Sequence, residues 1–317
     1  QAIKLKGFPL VTSSEGVLAI GSAGIRKIGS RKKMTEHDLI HLGSCTKAMT
    51  SVLLATLVAE GKLTWETSLI DVLPELIDSA VARLLERVGV HADHLAGHSY
   101  GELVALAHAD AFPRERLLDL SEARANAILD AAGEDPGAMA AVNGTTDEVN
   151  AALEGVGDVV LANQNAPNQV VLSGPTAAIE GAIEHLASKG LAARQIQVAC
   201  AFHSPVISGA REAFRQHLEE LPVKSPSVTV WSNADAAPYP ADGDVRGRLA
   251  DHLVSPVRFS DEVQAMHEAG ARVFVEVGPG QVLSGLVKKI LRGRTFEVVS
   301  TNEKGSCALT SILDAAA

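Results

Sequence analysis

Residues 95–108 constrain this chain more tightly than any other stretch. A short apolar segment, Leu95-Ala96, runs into Gly97-His98-Ser99-Tyr100-Gly101, and a helix-forming run follows from Glu102 to His108. Glycines on either side of the serine permit a tight turn. The pattern therefore predicts strand, sharp turn and helix in immediate succession, with the serine held outward on the bend. Downstream of residue 79 the rest of the sequence agrees, because strand and helix patterns alternate at the spacings of a layered α/β protein with a parallel sheet.

Within that part, residues 136–198 read as a unit of their own. Ala138 to Val142 predicts a strand, and Thr145-Thr146-Asp147-Glu148 has the form of a capping box opening a helix through Leu153. Asp158 to Asn163 and Gln169 to Ser173 predict two strands around an Asn-Ala-Pro-Asn turn. Ile179, Ile183 and Leu186 share one face of a helix from Thr176 to Lys189, which Gly190 ends. Arg194 to Val198 closes a βαββαβ order, that of an inserted ferredoxin-like subdomain. Val228 to Trp231, Val273 to Val277 and Glu297 to Ser300 predict core strands of the larger sheet, and Asp235 to Asp244 a surface loop.

Upstream, residues 1–78 follow a different pattern. Gly16 to Gly24 and Asp38 to Leu42 predict short strands, and Cys45 to Glu60 a helix with Met49, Leu53 and Leu57 on one face, making an N-terminal α+β fragment. Charge breaks at the same place. Of 28 basic and 38 acidic residues, nine basic and eight acidic lie in residues 1–79, which leaves 19 and 30 in the remainder. That acidic part repels polyanions, and aromatic residues are only 3% of the chain, too few for base-stacking platforms. Nucleic acid is not expected as a partner. No apolar run approaches the ~20 residues of a membrane helix, and no secretory signal is visible, so neither a membrane nor export is expected. Three cysteines without C-x-x-C spacing argue against a disulfide framework or a cysteine zinc site and favour a cytoplasmic setting. The chain opens at Gln1, which reads as an excision from something longer.

The serine at position 99 has the setting of a nucleophile: a helix start pointing N–H groups at the reacting centre, with the Tyr100 N–H as an oxyanion donor. Together, Gly97-His98-Ser99-Tyr100-Gly101-Glu102, Ala201-Phe202-His203-Ser204 and Val277-Gly278-Pro279-Gly280 resemble the malonyl-CoA:acyl-carrier-protein transacylases and the acyltransferase domains of polyketide synthases, over residues 79–317. The tyrosine after the serine resembles the iterative enediyne and polyunsaturated-fatty-acid type. The resemblance implies a hydrolase-like core in which Ser99 is malonylated and His203 is its base, steadied by backbone carbonyls without an acidic third member. It makes Arg124 the partner of malonate's free carboxylate, Phe202 the ring that leaves little room for an α-methyl branch, and Asn165 a pocket residue. It implies malonyl-CoA and an acyl carrier protein as partners, and no cofactor beyond the phosphopantetheine these carry. Cys200 departs from the malonyl-type motif, which has histidine there, and the family's N-terminal G-Q-G-S/A-Q segment is not found. His98, Cys200 and the Val277–Gly280 turn read as structural.

A second constellation, Ser44-Cys45-Thr46-Lys47, puts a lysine one helical turn from a serine, where it could take the hydroxyl proton. With Trp65 and Leu69 to Pro74 it resembles the opening, over residues 8–76, of the serine β-lactamase, penicillin-binding protein and esterase superfamily. Neither Tyr-x-Asn nor Lys-Thr-Gly follows. The sequence thus predicts a chimera whose function is malonyl transfer at Ser99. Ester or β-lactam hydrolysis at Ser44 with Lys47, and an inactive scaffold, remain the alternatives.

Overall fold

The chain divides into two units, Gln1–Thr67 and Ser68–Ala317, and the computed structural model describes residues 10–13, 16–20, 78–278 and 280–301. In the first unit, β1 (Leu10–Ser13) pairs antiparallel with β2 (Gly16–Ile20), Leu10 lying opposite Ile20. The strand expected from Gly16 is thus present as far as Ile20. The expected strand Asp38–Leu42, the helix Cys45–Glu60 and the pair Ser44 and Lys47 lie outside the described residues.

The second unit opens with α1 (Asp78–Arg87), β3 (His94–Leu95), α2 (Tyr100–His108) and α3 (Leu117–Ala132). There follows an insertion made of β4 (Ala138–Asn143), α4 (Thr146–Ala152), β5 (Val160–Ala166), β6 (Gln169–Gly174), α5 (Thr176–Ser188) and β7 (Ala192–Ile196). The chain then returns through α6 (Gly209–Glu219), β8 (Thr229–Ser232), β9 (Ala237–Pro238), α7 (Val245–His252), α8 (Phe259–Glu268), β10 (Val273–Glu276), α9 (Val282–Ile290) and β11 (Glu297–Ser300). Among the described residues the main lobe holds two small sheets. β3 runs parallel to β8, which pairs antiparallel with β9, and β10 runs parallel to β11.

The insertion is a four-stranded antiparallel sheet in the order β5-β6-β4-β7, and its elements follow the βαββαβ order read from the sequence. The capping box at the start of α4 is present on both sides: the Glu148 N–H donates to Thr145 Oγ1 at 3.2 Å and the Thr145 N–H donates to the Glu148 carboxylate at 2.9 Å. β5 starts later and runs longer than expected. Asp158 sits at φ 60°, where a strand cannot continue. At the other end, Asn165 and Ala166 stay in the strand and leave only Pro167-Asn168 for the hairpin turn. Asn165 is therefore a strand residue, not a turn residue.

Each part has its own apolar centre. Leu103, Leu106, Phe112, Leu120, Phe214, Leu249 and Leu253 join α2, α3, α6 and α7 in the main lobe. Ala140, Val142, Val170, Leu172, Ile179 and Leu186 fill the insertion between its sheet and helices. A third cluster, of Val257, Phe259, Val263, Leu286 and Ile290, reaches Ala166 of β5. A fully buried side chain of this kind stabilises the fold by ~1.5–3 kcal/mol relative to an exposed one.

Backbone hydrogen bonds tie the insertion to the lobe. The Val257 N–H donates to the Ala162 carbonyl and the Gln164 N–H donates to the Val257 carbonyl, both at 2.8 Å. Where the chain returns, the Ala201 N–H donates to the Pro136 carbonyl at 2.7 Å. The insertion thus leaves and rejoins the lobe at adjacent points and delivers Phe202 and His203 beside its own entrance.

Three further expectations need correction. Among the described residues, β8 belongs to one small sheet and β10 and β11 to another, so the three expected strands do not share one larger sheet. Asp235 to Asp244 is not simply a surface loop, because Ala237–Pro238 forms β9 and Tyr239 is buried. β10, expected in the core, is half-buried, with Val273 exposed at its start.

Candidate active site

The bend after β3 is sharper than most residues tolerate. Ser99 sits at φ 52°, ψ −113°, a left-handed conformation that costs a non-glycine residue ~1–3 kcal/mol and persists only where its surroundings hold it. Gly97 is required there, since a Cβ on it would lie 1.9 Å from the Gly101 carbonyl carbon. Gly101 is different: a Cβ on it would meet nothing within 4 Å. Of the two glycines in the motif, the first is fixed by contact with the backbone of the second.

The bend delivers the Ser99 hydroxyl to His203, 104 positions later, with Oγ 2.7 Å from Nε2. The other face of the ring settles its tautomer. Nδ1 lies 3.1 Å from the His252 carbonyl and 3.0 Å from the Ser255 carbonyl. Carbonyl oxygens only accept, so Nδ1 carries the proton and Nε2 turns a lone pair to the serine. Burial, then the Arg124 charge, lowers the His203 pKa to about 4, so the imidazole is neutral at physiological pH. This is a serine–base pair oriented by main-chain carbonyls, able to activate a hydroxyl for attack on an acyl carbon.

The remaining expected residues surround this pair. Arg124, half-buried on α3, has its guanidinium carbon 5.9 Å from the centre of the Tyr100 ring. It has no carboxylate partner among the described residues, and its charge reaches both His203 and His252. Burial lowers its own pKa, yet a guanidinium remains cationic. Tyr100 opens α2, so its N–H belongs to the first turn, where a helix has no internal acceptor to offer. Phe202 packs between the main-lobe core and the cluster of Met139, Ala162 and Val171. Asn165 Oδ1 is 2.7 Å from His98 Nε2, and the His98 ring stands edge-on to Phe259 with centroids 5.2 Å apart. Cys200 is packed in the core, its thiol pushed up to about 11 by burial. Ser44 and Lys47 cannot be related to this site, being outside the described residues.

A buried polar layer that the sequence motifs do not show lies under the bend. Glu102, on the inner face of α2, takes hydrogen bonds from the Tyr239 hydroxyl and, at 2.7 Å, from the Asn233 N–H. Burial pushes its carboxyl up to about 7. Glu262 on α8 is also fully buried, its pKa raised by burial, and it accepts from Asn233 Nδ2 at 2.6 Å. One local sign of it is that Glu102 heads the apolar run Leu103 to Ala107, next to side chains that pack inward.

A family model described as "Acyl transferase domain" matches residues 46–313. The chain belongs to this family. Its match begins at residue 46, so it also takes in Lys47 and the stretch up to residue 78. The chain is 34% identical over 271 residues to the malonyl CoA-acyl carrier protein transacylase of Bacillus subtilis (strain 168), an overlap covering 82% of this chain and 84% of that protein. It is 39% identical over 244 residues to the polyketide synthase GfsA of Streptomyces halstedii, covering 73% of this chain and 3% of that much larger protein. Among solved structures, the malonyl CoA-acyl carrier protein transacylase of Clostridium perfringens superimposes with a TM-score of 0.72 at 29% identity, covering 84% of this chain and 86% of that one. These likenesses bear out the acyltransferase resemblance and the α/β architecture it implied.

Proposed function

We propose that this acyltransferase moves a malonyl group from coenzyme A to the phosphopantetheine thiol of an acyl carrier protein, in fatty-acid or polyketide synthesis, through an acyl-Ser99 intermediate. The observation that carries the reading is the 2.7 Å contact between Ser99 Oγ and a His203 Nε2 whose proton sits on the opposite nitrogen. As Oγ attacks the thioester carbonyl, Nε2 takes the hydroxyl proton. The tetrahedral oxyanion faces the Tyr100 N–H, and the C–S bond breaks as the imidazolium returns its proton to the departing thiolate. The carrier thiol then enters by the same steps in reverse, giving its proton to Nε2 and restoring the Ser99 hydroxyl. Atoms and charge balance without a redox partner, and the only group the substrates need is the phosphopantetheine they already carry.

Arg124 supports a carboxylated acyl group. It is a half-buried cation without an anion among the described residues, and a planar guanidinium can grip the free malonyl carboxylate through two parallel hydrogen bonds. Phe202 narrows the space beside the acyl α-carbon, and Asn165, through His98, borders the same pocket. No helix among the described residues is long and apolar enough to cross a membrane, and a cytoplasmic setting is part of the proposal.

Incubation with labelled malonyl-CoA, followed by peptide mapping, tests the reading. The adduct is expected on the peptide containing Ser99, lost in Ser99→Ala and retained in Ser44→Ala. An adduct that survives Ser99→Ala would overturn it. Arg124→Ala is expected to lose the preference for malonyl over acetyl while still accepting acetyl, and an unchanged preference would remove Arg124 from the pocket.

A further inference from the structure

One side chain grips the bend from both ends. Asn233, just past the end of β8, is completely buried beneath the turn. Its Oδ1 accepts the Ser99 N–H at 2.7 Å, and its Nδ2 donates to the Gly97 carbonyl at 2.6 Å. The residues on both sides of His98 are thus held by one carboxamide. The carboxamide is itself held: Nδ2 also donates to Glu262 at 2.6 Å, and the Asn233 N–H donates to Glu102 at 2.7 Å. Both hydrogens of the amide are used, and its oxygen takes the Ser99 N–H, so only this orientation of the side chain satisfies its neighbours.

This matters because Ser99 is in a conformation that it would leave if released. Its hydroxyl meets the imidazole only while the backbone stays at φ 52°. On the carbonyl side the bend is held by the helix start, with the Gly101 N–H donating to the His98 carbonyl at 3.1 Å and the Glu102 N–H to the Ser99 carbonyl at 3.0 Å, and on the N–H side of Ser99 it is held by Asn233. The Ser99 N–H points into the Asn233 oxygen and is therefore not available to a tetrahedral oxyanion.

We propose that Asn233 is a positioning residue for the reaction: its carboxamide clips Gly97 and Ser99 together and so keeps the Ser99 hydroxyl in line with His203 Nε2. The proposal rests on Ser99 being the reacting hydroxyl. A purely structural asparagine would fix the fold around β8 without affecting how fast a folded molecule reacts. A misplacement of the hydroxyl by ~1 Å slows a reaction of this kind by ~10²-fold.

The test follows two probes on the full chain. One is a fluorophosphonate that phosphonylates an activated serine, and the other is labelled malonyl-CoA in single turnover. Rates are expressed per molecule that finally labels, so unfolded protein does not count. Asn233→Ala is expected to slow both reactions by ~10²-fold while the KM for malonyl-CoA stays near the wild-type value, because Arg124 is untouched. Asn233→Asp keeps the shape and the acceptor for the Ser99 N–H, but it replaces the donor facing the Gly97 carbonyl and Glu262 with an oxygen. It is expected to fold and to react more slowly than wild type with both probes.

Wild-type rates per labelled molecule in both variants would overturn the proposal. So would the failure of both variants to fold, which would make Asn233 a scaffold residue. A wild-type protein that reacts with the fluorophosphonate and not with malonyl-CoA would instead reject malonyl transfer, and the clip would still be judged on the first probe.

Discussion

The insertion and the main lobe hold themselves together in opposite ways. Between sheet and helices, the insertion is closed by Val142, Val170, Leu172, Ile179 and Leu186, an entirely apolar set. Under Ser99, by contrast, the lobe buries two carboxyls, a carboxamide and the His203 imidazole, whose partners are 29 to 137 residues apart. The first arrangement is robust, because apolar contacts have no direction. The second is directional, and it holds the serine in a backbone conformation that packing alone would not select. The insertion supplies a wall and the lobe supplies the reacting geometry.

Substitutions should therefore separate rate from stability along this division. The largest expected effect on rate is at the lobe: His203→Ala should slow malonylation of Ser99 by ~10²–10⁴-fold, the range for loss of a positioned general base, measured by single-turnover labelling. A near-wild-type rate would mean that the hydroxyl is activated elsewhere. In the insertion, Ile179→Ala should cost ~2–5 kcal/mol of stability through lost burial and a cavity, read by denaturant titration. The labelling rate per folded molecule should stay unchanged. A fall in that rate would blur the division, by showing that the insertion transmits strain to the site through the Ala162–Val257 contacts.

Acid pH sharpens the comparison further. The His203 pKa is depressed to about 4, so its neutral, proton-accepting form persists well below the ordinary histidine range. In a pH profile of kcat/KM, the acid limb from this group should fall near pH 4, and a limb near 6.5 would contradict the burial seen here. The same depression makes a stability term. An unfolded chain protonates this histidine near 6.5 while the folded one does not, so stability falls as pH drops from about 6.5 toward 4. Glu102 acts in the reverse direction: its stabilising contribution is complete below its ordinary carboxyl pKa of 4.5 and is lost as pH rises through about 7. The smallest expected effect is Thr145→Ala, which removes one side of the capping box at α4. It should lower stability by ~0.5–2 kcal/mol in a thermal melt and leave labelling untouched.

Much of this division was already legible in the residues. The capping box, the Ile179, Ile183 and Leu186 stripe and the stop at Gly190 are local signals, and α5 ends within a residue of its expected boundary. The G-x-S-x-G pattern and the Phe202-His203 segment likewise identified two groups that the fold brings to 2.7 Å. Where expectation and structure part, the cause is a contact made at long range. Tyr239 lies in a polar stretch rich in proline and aspartate, yet its hydroxyl reaches Glu102, 137 positions away. Asn233 follows an ordinary strand and shows nothing in its own neighbourhood of the two backbone groups that it joins.

The sequence by itself determined most of the elements and the bend at Ser99, because propensity, capping and tight-turn sterics act over a few residues, and only the family resemblance pointed to His203 as the partner of that serine. Only the tertiary structure decided the tautomer of His203, the depressed basicity of that ring, the lack of a described anion at Arg124 and the grip of Asn233 on the turn. Each of these depends on which carbonyls, carboxyls and charges are brought together out of water, and that is fixed by how distant segments pack.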